Sequence, residues 1–124
     1  MLRLAALLAL VLVLSACQPA ARFARDLLDT GDGATLSYVT QGLAFDPSNR
    51  VALGAQLVAT GEDLVFLMAP PGVTCEVIQD STRMDCDLGD VIEVTTVNLT
   101  GRAVLANVSY RRTDDSVPRV VFVR

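Results

Sequence analysis

Few side chains in this 124-residue sequence are of types that carry chemistry. There are three cysteines, Cys17, Cys75 and Cys86, no histidine and no lysine, since all ten basic residues are arginine. The lack of histidine excludes Ser-His-Asp and Cys-His catalysis and histidine-containing zinc sites. The lack of lysine excludes Schiff-base chemistry and phosphate-binding P-loops. The three thiols are therefore the first groups whose roles need to be assigned.

Charge and aromatic content argue against nucleic acid as a partner. The net charge is −4 and only 5% of residues are aromatic, whereas nucleic-acid binding needs a basic surface. From residue 17 onwards there are nine basic and fourteen acidic residues, which gives a net charge of −5. Four arginines near the C-terminus, Arg111, Arg112, Arg119 and Arg124, are expected to keep a sheet edge soluble.

Residues 1–16 have the pattern of a secretory signal. Arg3 is followed by an unbroken apolar run from Leu4 to Leu14. At about 1.5 Å per residue this run spans roughly 16 Å as a helix, which is too short for a bilayer core of about 30 Å. A basic start, a short apolar stretch and small residues after it predict a signal peptide that is removed on export.

The sequence Leu14-Ser15-Ala16-Cys17 resembles the lipobox of bacterial lipoproteins, an aliphatic residue and two small residues before a cysteine. The resemblance implies that Cys17 receives a diacylglyceryl group on its sulfur and becomes the acylated N-terminus of the mature chain. Two or three acyl chains hold a protein stably on a membrane. By the same family analogy, Gln18 after the cysteine favours the outer membrane over the inner membrane. The alternative is a soluble exported protein in which Cys17 is an incidental thiol.

The other two cysteines, Cys75 and Cys86, are expected to form a disulfide, because export places them in an oxidising compartment. Residues 73–78 and 83–88 read as strands, and folding them about residues 80–81 places Cys75 opposite Cys86. The same register pairs Val77 with Met84 and puts both sulfurs on the apolar face. A redox-active or metal-binding pair is the alternative, but there is no C-x-x-C spacing and no nearby cation to support it.

The rest of the chain predicts an all-β fold: a small antiparallel, immunoglobulin-like β-sandwich of seven or eight strands with one disulfide. It is rich in Val, Ile and Thr, and turn residues punctuate it at intervals of 8–12 residues. We expect a signal peptide at residues 1–16, a lipidated cysteine and tether at 17–33, and a single sandwich domain at 34–124. The predicted strands are residues 34–40, 51–59, 64–69, 73–78, 83–87, 91–97, 102–110 and 117–123.

A second resemblance covers about 35 residues. Pro70-Pro71-Gly72-Val73-Thr74-Cys75, followed by Cys86-Asp87-Leu88-Gly89 and a strand rich in Thr and Val, is similar to the DUF11-like repeats of bacterial surface proteins. The resemblance implies an immunoglobulin-like sandwich of the kind used as a spacer or adhesive module. The chain departs from the repeat where Thr60 stands in place of the usual Asn, and where the turn after Leu88-Gly89 is shortened.

Two groups of acidic residues are candidate sites. Asp29-Thr30-Gly31 matches the D-T-G tripeptide of aspartic proteases, in which a homodimer would supply two carboxylates that share a proton. Asp32 stands where that family has Ala or Ser, so a turn before the first strand is the simpler interpretation. A second group could offer oxygen ligands to calcium, although its order differs from an EF-hand loop and solvated side chains explain it as well. That group is Asp80, Asp85, Asp87, Asp90 and Glu93.

These observations favour a bacterial envelope lipoprotein, anchored in the membrane through Cys17, whose domain is non-catalytic. It would bind or space a protein partner in the envelope through a sheet edge or loops. We expect no cofactor, no metal site and no nucleic-acid partner. The alternatives are an aspartyl-protease-like homodimer that uses Asp29, and a periplasmic inhibitor or chaperone.

Overall fold

The computed structural model describes residues 32–123 of the chain. These residues form seven β-strands and no helix. The fold is all-β and antiparallel, with the single disulfide joining Cys75 to Cys86, as predicted. The strands are β1 (Thr35–Val39), β2 (Gly42–Asp46), β3 (Ala52–Met68), β4 (Thr74–Ile78), β5 (Arg83–Val91), β6 (Thr95–Arg111) and β7 (Arg119–Phe122).

The two longest strands, β3 and β6, are each 17 residues long and pair with each other along most of their length. The order of pairing is β1-β2-β6-β3-β5-β4, and β7 joins β6 beside its C-terminal half. One layer therefore contains β1, β2, the start of β6 and the end of β3. The other contains β7, the end of β6, the start of β3, β5 and β4.

The chain folds back on itself so that these two halves pack face to face. Phe45 on β2 is paired with Thr95 at the start of β6, yet its ring centroid lies 5.5 Å from that of Tyr110 at the other end of β6. A straight strand would separate Thr95 from Tyr110 by roughly 50 Å. Both long strands must therefore bend sharply, and the core fills the space between the two layers. Its fully buried side chains include Leu36, Leu43, Phe45, Leu57, Met84, Val97 and Val108.

The bend lies in two gaps between predicted strands, at residues 60–63 and 98–101. Register shifts in the β3–β6 ladder occur on both sides of Glu62, which is paired with Arg102. Asp63 and Ala103 both have a φ of 52°, the left-handed conformation that accompanies a bulge. Gly101 lies against the buried Leu64, so closely that a Cβ at Gly101 would approach the Leu64 Cδ2 to 2.5 Å. These two gaps between predicted strands are therefore bends within the continuous strands β3 and β6.

The strand predictions were otherwise close to the structure, with three differences. The predicted strands 51–59 and 64–69 are one strand, β3. The predicted strands 91–97 and 102–110 are largely one strand, β6, although residue 91 belongs to the end of β5. Strand β2 was not predicted, because its apolar residues occupy only the short stretch between Gly42 and Asp46. Within residues 32–123, no helix is long and apolar enough to cross a membrane.

Candidate functional site

The β4–β5 hairpin has the register expected from the sequence. Cys75 is paired with Cys86, and Val77 with Met84, so the disulfide joins directly opposed residues. Cys86 is buried in the core and Cys75 is half-buried. The sulfurs are already bonded to each other and lie against apolar neighbours, which is the setting of a structural disulfide.

Two residues with predicted roles lie outside the described part of the chain. Cys17, the predicted lipidation site, and Asp29, the candidate protease carboxylate, both fall within residues 1–31. Their predicted roles remain predictions.

Members of the acidic group make separate local contacts. Asp85 forms an ion pair with Arg83 at 2.7 Å, and Asp90 accepts a hydrogen bond from the backbone N–H of Gly54 at 2.9 Å. Asp87 accepts one from the backbone N–H of Gly89, two residues further along the chain. Among residues 32–123, no three Asp, Glu, Cys or His side chains converge in a way that could hold a metal ion.

A buried ion-pair network was not foreseen from the sequence. Asp32 lies three residues before β1, within the stretch assigned to the tether, and its side chain is only 2% exposed. Its carboxylate accepts hydrogen bonds from the Tyr110 hydroxyl and from Arg50. The Arg112 Nε donates to both carboxylate oxygens, at 2.9 and 3.0 Å, and the Arg119 Nη1 lies 3.9 Å away.

Arg112 is the centre of this network, which corrects the expectation that the C-terminal arginines simply keep an edge soluble. It is buried, and its guanidinium lies 5.0 Å from the centroid of the Tyr110 ring. Besides Asp32, it donates to the backbone oxygens of Pro47 at 2.6 Å and Arg50 at 2.8 Å. Arg112 therefore ties the chain before β1, the end of β2 and the end of β6 together.

The network fixes the protonation states of its members. Burial raises the pKa of the Asp32 carboxyl, but hydrogen bonds from Arg112 and Tyr110 and the charges of Arg112 and Arg119 outweigh it, so the pKa lies below its ordinary value. Burial and the hydrogen bond to Asp32 both raise the pKa of the Tyr110 hydroxyl. Ionised Asp32 and neutral Tyr110 thus face each other, and the buried side-chain donors around them are all hydrogen-bonded. This is the arrangement of a structural ion pair, because the enclosed carboxylate leaves no open side for a substrate.

A shallow groove of about 530 Å³ lies between the β1–β2 turn and the bend of β6. Apolar residues such as Val39, Leu43 and Leu99 line much of it, and the Tyr38 hydroxyl donates a hydrogen bond to the backbone oxygen of Val104 beside it. The volume is in the range of small-molecule sites. Its lining contains no carboxylate, thiol or imidazole, and its side-chain hydroxyls are those of Tyr38 and Thr100.

A run of exposed apolar side chains lies at the end of β3. Four consecutive residues, Val65, Phe66, Leu67 and Met68, are between 38% and 64% exposed, although neighbouring Leu64 is buried. Strand β6 pairs with this stretch on one side, whereas the pairing of β5 with β3 ends at Thr60. Successive side chains of a strand point to opposite faces, so apolar groups are exposed on both faces here. We call these four residues the apolar edge segment.

The signal for the apolar edge segment is present in the sequence, as a run of four large apolar residues without polar alternation. A half-buried strand alternates apolar and polar residues, so such a run predicts a strand buried on both faces. The structure leaves this strand at an edge with both faces exposed, which identifies a surface suited to contact with another molecule.

Comparisons with known proteins do not add a family. The chain matches no protein-family model, no curated protein sequence and no solved structure. A function for this chain must therefore be inferred from its own residues and their geometry.

Proposed function

We propose that this chain is a bacterial envelope lipoprotein, anchored in the membrane through lipid on Cys17, whose β-domain is a non-catalytic module that binds a protein partner. The apolar edge segment is the observation that carries the binding role. An edge strand with unpaired backbone groups and exposed apolar side chains can accept a further strand from a partner.

The surroundings of Asp32 and of the two cysteines support a binding role over catalysis. Its buried carboxylate, Asp32, is enclosed by Arg112, Arg50 and Tyr110, and its two cysteines in residues 32–123 form the disulfide. Catalytic sites typically expose a titratable group in a cleft, held ready for a substrate. An envelope location follows from the lipobox, and Gln18 favours the outer membrane.

The anchor is tested by replacing Cys17 with Ser in the full-length chain, expressed in a bacterium that processes lipoproteins. We expect the unmodified chain to incorporate an alkyne-labelled fatty acid and to sediment with membranes, and the Cys17→Ser variant to lose the label. The matched control is the double variant Cys75→Ser/Cys86→Ser, which keeps Cys17 and should keep the label. A Cys17→Ser variant that is still labelled would contradict the proposed anchor.

The binding surface is tested by placing a photo-crosslinking amino acid at Leu67 in the same full-length protein. We expect a discrete protein adduct in intact cells. The same amino acid at Glu76, which is exposed on the edge strand β4, is the control and should give none. Equal adducts from both positions, or none from Leu67, would contradict a binding role for the edge of β3.

A further inference from the structure

Among residues 32–123, four of the six connections between strands lie at the end of the domain where the chain enters through Asp32. Strand pairing places them together, since Val91 at the end of β5 is paired with Ala52 at the start of β3. Arg112, just after β6, donates hydrogen bonds both to Asp32 and to the backbone oxygen of Pro47, just after β2. We call this the entry end, and its connections are residues 47–51, 69–73, 92–94 and 112–118.

The connections of the entry end expose large apolar side chains, and those of the opposite end do not. Ile92, Val94 and Val117 are 68%, 58% and 64% exposed. The two turns at the opposite end, residues 40–41 and 79–82, consist only of Thr, Gln, Asp and Ser. Connections that face water are normally polar in this way. The contrast marks the entry end as a contact surface.

The prolines of residues 32–123 are also at the entry end. Pro47, Pro70, Pro71 and Pro118 each lie in one of its connections, and all but the buried Pro47 are exposed. Proline has no backbone N–H, and an N–H without a partner is costly in an apolar phase. The prolines therefore lower the cost of bringing these connections out of water.

The charges of the entry end nearly balance. Counted from the last residue of each strand to the first residue of the next, and with Asp32 included, there are five acidic residues and four arginines, a net charge of −1. Two of the acidic residues, Asp32 and Asp115, are held in ion pairs with Arg112 and Arg119. So small a net charge contributes little attraction or repulsion at a membrane surface, and contact there depends on the apolar side chains. The full set is Asp32, Asp46, Glu93, Asp114, Asp115, Arg50, Arg111, Arg112 and Arg119.

From these observations we infer that the entry end rests on the lipid bilayer in which the chain is anchored, with Ile92, Val94 and Val117 inserted at its surface. The inference rests on the proposed anchor at Cys17. The 15 residues that begin at Cys17 and precede Asp32 span at most roughly 50 Å, so the bilayer is within reach of the connections around Asp32. A few apolar side chains bind a bilayer only weakly on their own, but the anchor raises their effective concentration at its surface.

The test uses tryptophan fluorescence, since the chain contains no tryptophan and one introduced indole reports only its own surroundings. Full-length Ile92→Trp is expressed in a bacterium that processes lipoproteins. The purified lipidated protein is then incorporated into phosphatidylcholine vesicles, with or without bromine on the acyl chains. We expect brominated lipid to lower the emission about twofold or more, because side chains docked at an interface reach roughly 5–10 Å into the boundary between headgroups and acyl chains.

The matched control is Leu105→Trp. Leu105 is 67% exposed, against 68% for Ile92, but it is paired with Thr60 beside the bend, away from the entry end. Its emission should be nearly unaffected by brominated lipid. Adding Val117→Asp to Ile92→Trp places a charge within the contact and should restore at least half of the lost emission. Adding Leu105→Asp instead should restore none.

The outcomes separate the anchor from the docking. If the protein does not float with the vesicles, the anchor and the inference that rests on it are both overturned. If it floats but bromine quenches Ile92→Trp no more than Leu105→Trp, the anchor stands and docking through the entry end is overturned. Quenching that Val117→Asp leaves unchanged overturns the insertion of Val117.

A protein partner at the entry end is the competing occupant. A photo-crosslinking amino acid at Val94 of the full-length chain distinguishes the two in intact cells. We expect no discrete protein adduct from this position, because lipid covers it. A discrete protein adduct would assign the entry end to that protein and overturn the docking on lipid.

Discussion

At the scale of single residues, the buried carboxylate of Asp32 joins parts of the chain that are far apart in the sequence. It is one carboxylate, yet it accepts hydrogen bonds from Tyr110, Arg50 and Arg112, and Arg112 in turn binds the backbone at Pro47. Removing one partner of a buried pair leaves the other charge without compensation, and this usually costs more than the pair contributes when intact. Arg112, whose side chain is buried beside Asp32, would be left in that condition.

We therefore expect Asp32→Asn to lower the free energy of unfolding by about 3–5 kcal/mol at neutral pH. Asp63→Asn is the control, since it removes a carboxylate that is also paired with an arginine but is largely exposed, and it should cost less than about 1 kcal/mol. Urea unfolding followed by circular dichroism measures both. Equal losses in the two variants would contradict the structural role of Asp32.

The same variant changes the dependence of stability on pH. The pKa of Asp32 in the folded chain lies below its ordinary value of 3.8, so the unfolded chain takes up this proton first on acidification. The stabilisation is therefore complete above about pH 3.8 and is lost as the pH falls through the folded-state pKa. Hydrogen bonds from Arg119 and from the Arg112 backbone lower the pKa of Asp115 to about 2, which adds a slope in the same direction. Between pH 2 and pH 5, the free energy of unfolding should therefore depend less steeply on pH in Asp32→Asn than in the unmodified chain.

At the scale of the elements, the bend in β3 and β6 depends on close packing at Gly101. A Cβ at this position would lie 2.5 Å from the Leu64 Cδ2, so Gly101→Ala should destabilise the domain by about 1–3 kcal/mol through overpacking. Leu64→Ala removes the obstructing atom. The double variant should therefore be more stable than the sum of the two single costs predicts.

Gly61→Ala is the control for this cycle. Its Cβ would lie 2.8 Å from the backbone oxygen of Arg102, which shortening Leu64 does not remove. Leu64→Ala should therefore offset less of the stability that Gly61→Ala loses than of the stability that Gly101→Ala loses. Strictly additive costs for Gly101→Ala and Leu64→Ala would show that contact with Leu64 does not limit residue size at the bend.

The β4–β5 hairpin has a different source of stability. Cys75 and Cys86 are separated by 11 positions, and closing a loop of that size contributes roughly 2–3 kcal/mol in the chain-entropy treatment. Cys75→Ala/Cys86→Ala should lose about this amount in urea unfolding, and the variant should no longer respond to reductant. Mass spectrometry of the exported protein under non-reducing conditions should find the two residues bridged, and free thiols there would contradict the disulfide.

At the scale of the whole molecule, the sequence predicts those contacts that are made between residues close together in the chain. The β4–β5 register follows from alternation over sixteen residues, and the disulfide follows from that register and from export. The glycines of the bend can be seen in the sequence. However, Gly61 and Gly101 are equally compatible with a turn between two strands and with a bend within one strand. Distinguishing the two cases requires knowing that Thr60 and Leu105 are paired, which is a contact between distant parts of the chain.

The ion-pair network also depends on contacts between distant parts of the chain, which sequence spacing does not show. Asp32 is separated from Tyr110 by 78 positions and from Arg112 by 80, so no sequence spacing brings them together. The apolar edge segment is different, because its residues are contiguous and easy to see. Its exposure could not be predicted, since it depends on β5 leaving β3 after Thr60.

The position of Asp32 also has a mechanical consequence. The chain enters the domain from its N-terminal side through this residue, and Asp32 is attached by its side chain to Tyr110 and Arg112 at the end of β6. Tension applied to the chain before Asp32 is therefore borne first by the contacts of Asp32 to β6, the strand that pairs with β2, β3 and β7. It reaches the hydrogen bonds between β1 and β2 only after those contacts break. The domain is thus built to resist peeling from the end by which a lipid anchor would hold it.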